Sequence, residues 1–301
     1  MPLQTSRLIS LTGRLGKRYA ARIDYTLEPM QQRNFNFSYM FQYNDINIYE
    51  KGNRAYNTTY KYHLAEFGFS DVWYKNFRFG LGLRFEYYKY KDFLFKQPEL
   101  IDLKVESEHF LSYFAQIHYN TYDKGYSPAK GSDFKAAYSL YTDNMAQYNE
   151  HAPFSALSAS WASVLPITRR FSVIPSIYGR ILIGRNFPYP LQNAIGGEVP
   201  GFYIPQQLPF AGVNNIELMD NAIMIASLKL RQRMGAIHYL ILTGNYGLTD
   251  SHFFKILKGK QLFGISAGYG MDSVFGPLEI SLGYSNQTDK ASCFVNLGYY
   301  F

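Results

Sequence analysis

The last stretch of the chain, residues 275–301, alternates apolar and polar side chains with a period of two. In its first half the apolar face comprises Leu278, Ile280, Leu282 and Tyr284. A polar turn at residues 286–290 leads to a second alternation that ends on Phe301, the last residue. This period predicts two half-buried strands joined as a hairpin. Such a hairpin could close either a soluble β-sandwich or a membrane β-barrel.

The same period recurs along the chain in segments of about ten residues, which is the length of a tilted strand that crosses a bilayer. The most uniform segment has an aromatic face of Phe35, Phe37, Tyr39, Phe41 and Tyr43 opposite a face of mostly amides. A soluble domain seldom needs so aromatic a face, whereas a lipid-facing strand does. The segments predict about fourteen strands, of which the first, near residues 7–13, is weak.

The connections between these segments alternate between short turns and longer polar loops, one of which we expect at residues 50–56. In an antiparallel up-and-down sheet this alternation places the short turns on one side, as in outer-membrane barrels. A sandwich has no reason to sort its connections by length. We therefore predict an all-β fold, a transmembrane antiparallel up-and-down β-barrel in the bacterial outer membrane.

The rhythm stops at residues 186–220, which are rich in glycine and proline. A structureless loop of this length is uncommon unless it is functional or disordered. Apolar residues such as Ile195, Val199 and Ile204 argue against disorder, because such side chains need something to bury against. The interior of a barrel offers that surface, so we predict that this loop folds into the lumen.

Composition agrees with a barrel rather than with a helical membrane protein. Aromatic residues make up 18% of the chain, yet its mean hydropathy is −0.23, and no run reaches the roughly 18 apolar residues of a spanning helix. The net charge of +7 is spread over scattered Lys and Arg residues, so no nucleic-acid partner is expected. The single cysteine, Cys293, excludes an internal disulfide.

Several stretches together resemble the barrels of the bacterial surface antigen superfamily, which includes BamA and TamA. Residues 122–131, YDKGYSPAKG, are similar to a turn and strand start of that superfamily, and residues 276–284, GPLEISLGY, to its next-to-last strand. Residues 193–203 and 206–210, NAIGGEVPGFY and QQLPF, are similar to its long inward-folded loop. In its details the chain most resembles the barrel half of bacterial patatin-like phospholipases.

This resemblance implies a single outer-membrane barrel domain over residues 1–301. The loop motif then comprises Gly196, Gly197, Pro200, Gly201, Phe202, Pro209 and Phe210. Tyr299 and Phe301 stand where the superfamily has its carboxy-terminal assembly signal, which implies contact with the barrel-assembly machinery. Outer-membrane lipid and a second copy in a homodimer are the other expected partners, and no cofactor is expected.

The chain departs from the superfamily in two ways. The superfamily loop carries an arginine that binds acidic residues in the lumen, but Pro200 precedes Gly201 here, so this charge-assisted lock is missing or comes from another residue. Superfamily barrels have sixteen strands and follow a catalytic or adaptor domain, neither of which this chain matches. Residues 1–7 also lack a secretory signal. Together these departures predict an amino-terminally truncated chain without its patatin domain.

Residues 264–268, GISAG, match the G-x-S-x-G nucleophile elbow that patatins use. An elbow needs its serine on a sharp turn from strand to helix, but Ile265 and Ala267 alternate here with small residues. We therefore predict an uninterrupted strand whose small face, around Ser266, makes room for the packed loop. The six histidines are too far apart for a ligand set, and His118 is expected to face the lumen. No catalytic residue and no metal site is expected.

Ten charged residues are predicted to face the lumen: Arg22, Asp24, Arg78, Arg84, Glu86, Lys135, Arg180, Lys229, Arg231 and Glu279. They most simply line a wet interior. A sharper hypothesis is that some of them hold the 186–220 loop in place of the missing arginine.

Three functions follow as hypotheses. The favoured one is an outer-membrane barrel that anchors or translocates the phospholipase domain of a patatin-like lipid acyl hydrolase, this chain carrying only the barrel and no enzyme activity. The alternative is a stand-alone porin or solute channel gated by the 186–220 loop. A membrane-embedded lipid hydrolase that uses Ser266 is less favoured.

Overall fold

The computed structural model describes residues 6–16, 18–30, 33–95, 107–125, 127–149, 152–201, 203–274 and 276–297. Its strands are β1 (Ser6–Arg14), β2 (Tyr19–Met30), β3 (Arg33–Glu50), β4 (Asn53–Tyr74), β5 (Phe77–Phe95), β6 (Glu108–Asn120), β7 (Gly131–Thr142), β8 (Phe154–Pro166), β9 (Phe171–Ile183), β10 (Asn193–Ile195), β11 (Gln207–Leu208), β12 (Leu218–Asp220), β13 (Ala222–Arg233), β14 (His238–Asp250), β15 (Lys260–Ser273), β16 (Gly276–Ser285) and β17 (Lys290–Leu297). Within these ranges, two short 3-10 helices occupy Tyr189–Leu191 and Phe253–Lys258. The described part of the chain has no helix that is both long and apolar enough to cross a membrane.

Fourteen of these strands form one antiparallel sheet in which each strand pairs with its neighbour along the chain. This order of pairing is interrupted once, where β9 pairs directly with β13 and leaves β10, β11 and β12 in a separate small sheet. The weak first segment is a genuine strand, since β1 pairs with β2 from Ser6↔Glu28 to Arg14↔Ala20. These pairings confirm the predicted all-β, up-and-down antiparallel fold and its fourteen strands.

The sheet curls into a barrel, so that strands far apart in its order come together. Lys290 at the start of β17 donates hydrogen bonds from Nζ to Gly52 O at 3.2 Å and to Asn53 Oδ1 at 2.9 Å. Both acceptors belong to the β3–β4 turn and its edge. Among the described residues, the strand pairings run from β1 to β17 and record none between these two end strands. Leu8 and Ile9 on β1, on opposite faces of the strand, are 64% and 67% exposed.

The period-two pattern separates an apolar outer face from an inner one. Phe37 on β3 is 50% exposed and Ile265 on β15 is 53% exposed, whereas Ser266 next to Ile265 is 3% exposed. Apolar side chains that are exposed in a regular row on a barrel face hydrocarbon. The predicted outward aromatic face of β3 is therefore confirmed.

The connections fall on two rims. We call the edge with the β1–β2, β3–β4, β7–β8, β9–β13, β14–β15 and β16–β17 connections the long-loop rim, and the edge with the β4–β5, β6–β7, β8–β9 and β13–β14 connections the short-turn rim. The sorting by length is only partial. The β6–β7 connection on the short-turn rim spans residues 121–130, and two tight turns, at residues 51–52 and 286–289, lie on the long-loop rim.

The wall formed by β3, β4 and β5 differs from the sequence prediction of a polar loop. The polar loop expected at residues 50–56 is a tight turn, in which Lys51 and Gly52 take positive φ of 49° and 73°. The flanking strands are 18, 22 and 19 residues long, about twice the length needed to cross a bilayer. The parts of β3 and β4 next to their connecting turn remain strands because Ile46 and Ile48 are buried against the 186–220 loop in the lumen.

The barrel core lies in the half of the lumen next to the long-loop rim. One cluster joins inward residues of β3 to β9, including Tyr62, Tyr88 and Phe110, to the loop residues Leu191 and Ile216. A second cluster joins Ile195, Phe210 and Val213 of the loop to inward residues of β13 and β15. The core therefore forms between the wall and the loop, not between two sheets.

Candidate functional site in the barrel interior

The connection between β9 and β13, residues 184–221, lies in the interior of the barrel, and we call it the lumen loop. It leaves and rejoins neighbouring strands, since Ile181 of β9 pairs with Ala222 of β13. Inside the barrel β10 pairs in parallel with β11 and antiparallel with β12. The prediction that this segment folds into the lumen is confirmed. It is not structureless, however, because its backbone groups are satisfied by a small sheet of their own.

A strand arginine fixes the base of the lumen loop. Arg180 of β9 donates from Nη1 to Leu191 O at 2.7 Å and to Asn193 Oδ1 at 2.5 Å. The Asn193 amide in turn donates to Arg180 O at 2.9 Å and to Asn221 O at 2.8 Å. Asn193 is fully buried, and each of its polar atoms has a partner in this arrangement. A charged residue from the wall thus holds the loop, as the sharper hypothesis for the lumen charges supposed.

A second attachment of the loop involves a charge opposite to that of the expected arginine, because Glu198 of the loop contacts the wall. Glu198 accepts hydrogen bonds from Ser266 Oγ at 3.2 Å and from the Gly212 amide at 3.3 Å. Burial raises the pKa of the Glu198 carboxyl, although these two donors act in the opposite direction. Ser266 lies within uninterrupted strand β15, opposite Thr243 of β14 and Gly283 of β16, so the predicted strand is confirmed.

Glycines on the inner face of β15 and β16 make room for the loop, as predicted. A Cβ on Gly264 would lie 2.2 Å from Ala211 O and 2.7 Å from the ring of Phe210. A Cβ on Gly283 would lie 2.7 Å from the Cα of Gly212. Only glycine allows the loop backbone to approach the wall this closely.

The returning arm of the lumen loop joins two turns of the long-loop rim. Tyr49 N donates to Ile216 O at 2.8 Å, and Gly52 N donates to the Glu217 carboxylate at 3.0 Å. On the other side, Gln287 Nε2 donates to Glu217 O at 3.3 Å. Burial raises the pKa of the Glu217 carboxyl, opposed by the Gly52 amide and by the charge of Lys290. The loop thereby connects the β3–β4 turn to the β16–β17 turn.

The loop-motif residues take several roles. Gly196 is in close contact, since a Cβ there would lie 2.3 Å from Asn215 O, and Gly197 and Gly201 have φ of +64° and +68°. Phe210 is 1% exposed in the core. Pro200, Gly201 and Pro209 form the underside of the loop, facing a cavity. Phe202, Tyr299 and Phe301 lie outside the described residues.

That cavity, of about 1090 Å³, lies between the lumen loop and the short-turn rim. Six of the predicted lumen charges line it: Arg22, Arg78, Arg84, Glu86, Lys135 and Arg180. Asp24 pairs with Arg22 at 2.8 Å, and Arg84 pairs with Glu66 at 2.6 Å. The cavity wall also holds His118, whose Nε2 lies 2.6 Å from Asp133 Oδ1. The result is a polar chamber with charges of both signs.

The remaining three lumen charges line a smaller cavity of about 380 Å³: Lys229, Arg231 and Glu279. Beside them, residues 121–125 and 127–130, which we call the rim strap, fold inward from the short-turn rim. Ser127 Oγ donates to Asp272 Oδ1 at 2.6 Å, and Arg231 donates to Pro128 O. Tyr239 OH also donates to Asp272, at 2.9 Å. The segment that resembles a superfamily turn therefore reaches across the lumen to β13 and β15.

Sequence reasoning did not single out Asn193, Glu198, Gln207 or Glu217, although all four fasten the lumen loop. Gln207 donates to Gly196 O and, at 3.1 Å, to Val199 O. The sequence signal that they share is weak, since each is a polar residue directly next to an apolar residue of the loop. Across the residues that the structure describes, no cluster of His, Cys, Asp and Glu side chains could hold a metal ion.

This architecture is similar to that of known proteins. Residues 27–301 match the OMP85 superfamily, and no curated protein matches the chain. BamA from Haemophilus ducreyi lacking POTRA domains 1-3 superposes with a TM-score of 0.74 at 13% identity, over 97% of this chain and 64% of that one. CdiB from Escherichia coli gives 0.65 at 14% identity, over 93% and 52%. CdiB from Acinetobacter baumannii gives 0.64 at 12% identity, over 98% and 54%.

The chain thus spans between about half and two thirds of the length of these solved proteins. At such low identity the likeness concerns the fold. The match of the superfamily to nearly the whole sequence is the stronger finding, and it agrees with the fold. The chain therefore belongs to the OMP85 superfamily, and its fold is that of the outer-membrane β-barrels of BamA and CdiB.

Proposed function

We propose that the chain is an outer-membrane barrel that anchors or translocates an attached domain, and that this domain is the phospholipase domain of a patatin-like lipid acyl hydrolase. The proposal combines membership of the OMP85 superfamily with the likeness of the chain, in its details, to the barrel half of bacterial patatin-like phospholipases. On this proposal the barrel is one part of a longer assembly, whose other part carries the chemistry.

One observation carries the proposal. The lumen loop fills the half of the interior next to the long-loop rim, and it leaves the chamber of about 1090 Å³ beneath it. Leu191, Ile195 and Ile216 of the loop are each 0% exposed, so they occupy the path that a permanently open solute pore would need. A polar chamber beneath the loop suits an extended polypeptide, because unpaired backbone at membrane depth is tolerated where it is buried in protein or lines a water-filled cavity.

We propose further that the barrel itself is not an enzyme. Ser266 lies in mid-strand and donates its hydroxyl hydrogen bond to Glu198. A nucleophilic serine needs a base that accepts its proton and an oxyanion site beside it. Glu198 instead belongs to the packing of the lumen loop, so acyl hydrolysis belongs to the attached domain.

Site-specific photo-crosslinking in the native membrane tests the proposal. A benzoylphenylalanine at Gln116 faces the chamber, and the matched variant at Leu157, 40% exposed on the outer wall, faces lipid. We expect the Gln116 variant alone to form an adduct with a polypeptide that has acyl hydrolase activity.

The other outcomes are equally informative. An adduct with a polypeptide that lacks acyl hydrolase activity would keep translocation and remove the phospholipase. No adduct at Gln116, together with a large steady ionic current through the purified barrel, would favour the porin and overturn the proposal.

A further inference from the structure

The short helix Phe253–Lys258, which connects β14 to β15 at the long-loop rim, packs on the outside of the barrel. Its one buried side chain, Ile256, is 4% exposed and clusters with Ile181 of β9 and Ala222 of β13, with Leu248 of β14 beside them. This packing holds the helix across three strands of the wall.

The strand registers show that those contacts are on the outer face. Ala222 shares its face of β13 with Leu228, which is 49% exposed, and Ile181 shares its face of β9 with Ile177, which is 52% exposed. The opposite face of β13 carries Lys229 and Arg231, which line an interior cavity. The helix therefore lies against the lipid-facing wall and not over the lumen.

The outward side of the helix is both apolar and basic. Phe254 is 92% exposed and Leu257 is 79% exposed, and both Lys255 and Lys258 are exposed. Large apolar side chains this exposed would be unfavourable in water. Beside them the outer wall continues as an apolar surface through Leu240 and Leu242 of β14, 47% and 43% exposed. The helix thus extends a surface that already faces hydrocarbon.

We propose that this helix is an interfacial anchor that binds a membrane surface of phosphate-bearing anionic lipids. Phe254 and Leu257 enter the acyl-chain region at its boundary, and Lys255 and Lys258 bind the headgroup phosphates. An apolar face with flanking lysines is the arrangement of helices that lie in the interface, and lysine stems reach from hydrocarbon to headgroup. The inference does not depend on what the barrel transports.

Lipid quenching of tryptophan fluorescence tests the anchor. The chain has two tryptophans, so Trp73→Phe and Trp161→Phe give a silent background into which Phe254→Trp or, independently, Leu257→Trp is placed. The full chain is reconstituted in vesicles of phosphatidylcholine and phosphatidylglycerol, and bromine is carried on the acyl chains of one lipid at a time. Val274→Trp, on the opposite rim and 90% exposed in the wild type, is the matched control.

We expect strong quenching at positions 254 and 257, with the brominated anionic lipid favoured over the neutral one by about fivefold for each nearby lysine at low salt. The preference falls towards unity in the Lys255→Gln, Lys258→Gln double variant, while quenching by neutral brominated lipid remains. Quenching no stronger than at position 274, or an anionic preference unchanged by the double variant, would overturn the proposal. A tryptophan that is unquenched in vesicles but shielded from water in native membranes would assign the surface to a protein partner and also overturn it.

Discussion

The Ser266 hydroxyl of β15 donates a hydrogen bond to the Glu198 carboxylate of the lumen loop across 3.2 Å. The serine of a sequence that matches a nucleophile elbow is thus a structural donor, and the carboxylate lies on the loop instead of the wall. Removing a donor from a buried carboxylate costs about 1–3 kcal/mol. We expect Ser266→Ala to weaken loop attachment by this amount.

Cleavage by a protease specific for glutamate measures that attachment, because Glu198 and Glu217 are the two glutamates of the lumen loop. In Ser266→Ala the loop should be cut between about fivefold and about 150-fold faster, since about 1.4 kcal/mol is a factor of ten. Ser160→Ala, in the chamber wall, is the control and should match the wild type. Ester hydrolysis by the purified chain that disappears in Ser266→Ala would contradict the structural role.

Loop attachment should also depend on pH. Burial raises the pKa of Glu198 above its usual 4.5, and when the loop is released the carboxyl returns to that value. The attached state therefore holds the proton more tightly. Attachment is strongest below pH 4.5 and weakens as the pH rises from there through the raised pKa.

Proton-linked loop release can be followed by hydrogen exchange of the loop amides across this pH range, after correction for intrinsic exchange rates. Glu198→Gln should flatten the dependence, and the part that remains should come from Glu217, whose pKa burial also raises. Attachment that instead strengthens with rising pH in the wild type would show that the carboxylate form is the one the site prefers.

The close approach of the loop to the wall predicts a large effect of one methyl group. Gly264→Ala places Cβ 2.2 Å from Ala211 O, a distance that forces the loop backbone to move. Gly244 on neighbouring β14 has no atom within 4 Å of such a Cβ, so Gly244→Ala is the matched control. We expect a displaced lumen loop and faster glutamate-specific cleavage in Gly264→Ala only. Equal cleavage rates in the two would mean that the loop is not seated on β15.

The rim strap should control access to the chamber from the short-turn rim. Asp272→Ala removes the acceptor for Ser127 and Tyr239. The strap is then held by the Arg231 hydrogen bond to Pro128 O, so its attachment weakens while the contacts of the lumen loop are unchanged. A cysteine at Gln116 in a Cys293→Ser background reports chamber access through its rate of labelling by a charged thiol reagent. We expect several-fold faster labelling with Asp272→Ala and no change with Asp289→Ala on the opposite rim. No acceleration in Asp272→Ala would show that the strap does not restrict entry.

The alternation of side chains was sufficient to predict the sheet, because the face on which a side chain lies depends only on its position within its own strand. Ile265 outward and Ser266 inward follow from their positions in one strand, whatever the rest of the chain does. The same reasoning placed the ten lumen charges on inward positions. Alternation also places the small residues of β15 on its inward face, which predicts a closely packed loop there. The contact of Gly264 with Ala211 is this packing.

Alternation could not predict which loop residue meets which wall position. Glu198 and Ser266 are 68 residues apart, and Gly52 and Glu217 are 165 apart, and no local pattern links such pairs. The length of β3 and β4 was missed for the same reason. The residues around the β3–β4 turn look like a polar loop in the sequence. They form strands because Ile48 pairs with Ile216 of the lumen loop.

Single-channel conductance in planar bilayers tests most directly the central claim that the lumen loop blocks the interior of the barrel. The wild-type chain is compared with a variant in which residues 187–219 are replaced by a short turn, which β9 and β13 allow because they pair directly. We expect a small, rarely open conductance in the wild type and a large steady one in the variant. A wild-type conductance that is already large and does not change when the loop is removed would contradict this claim.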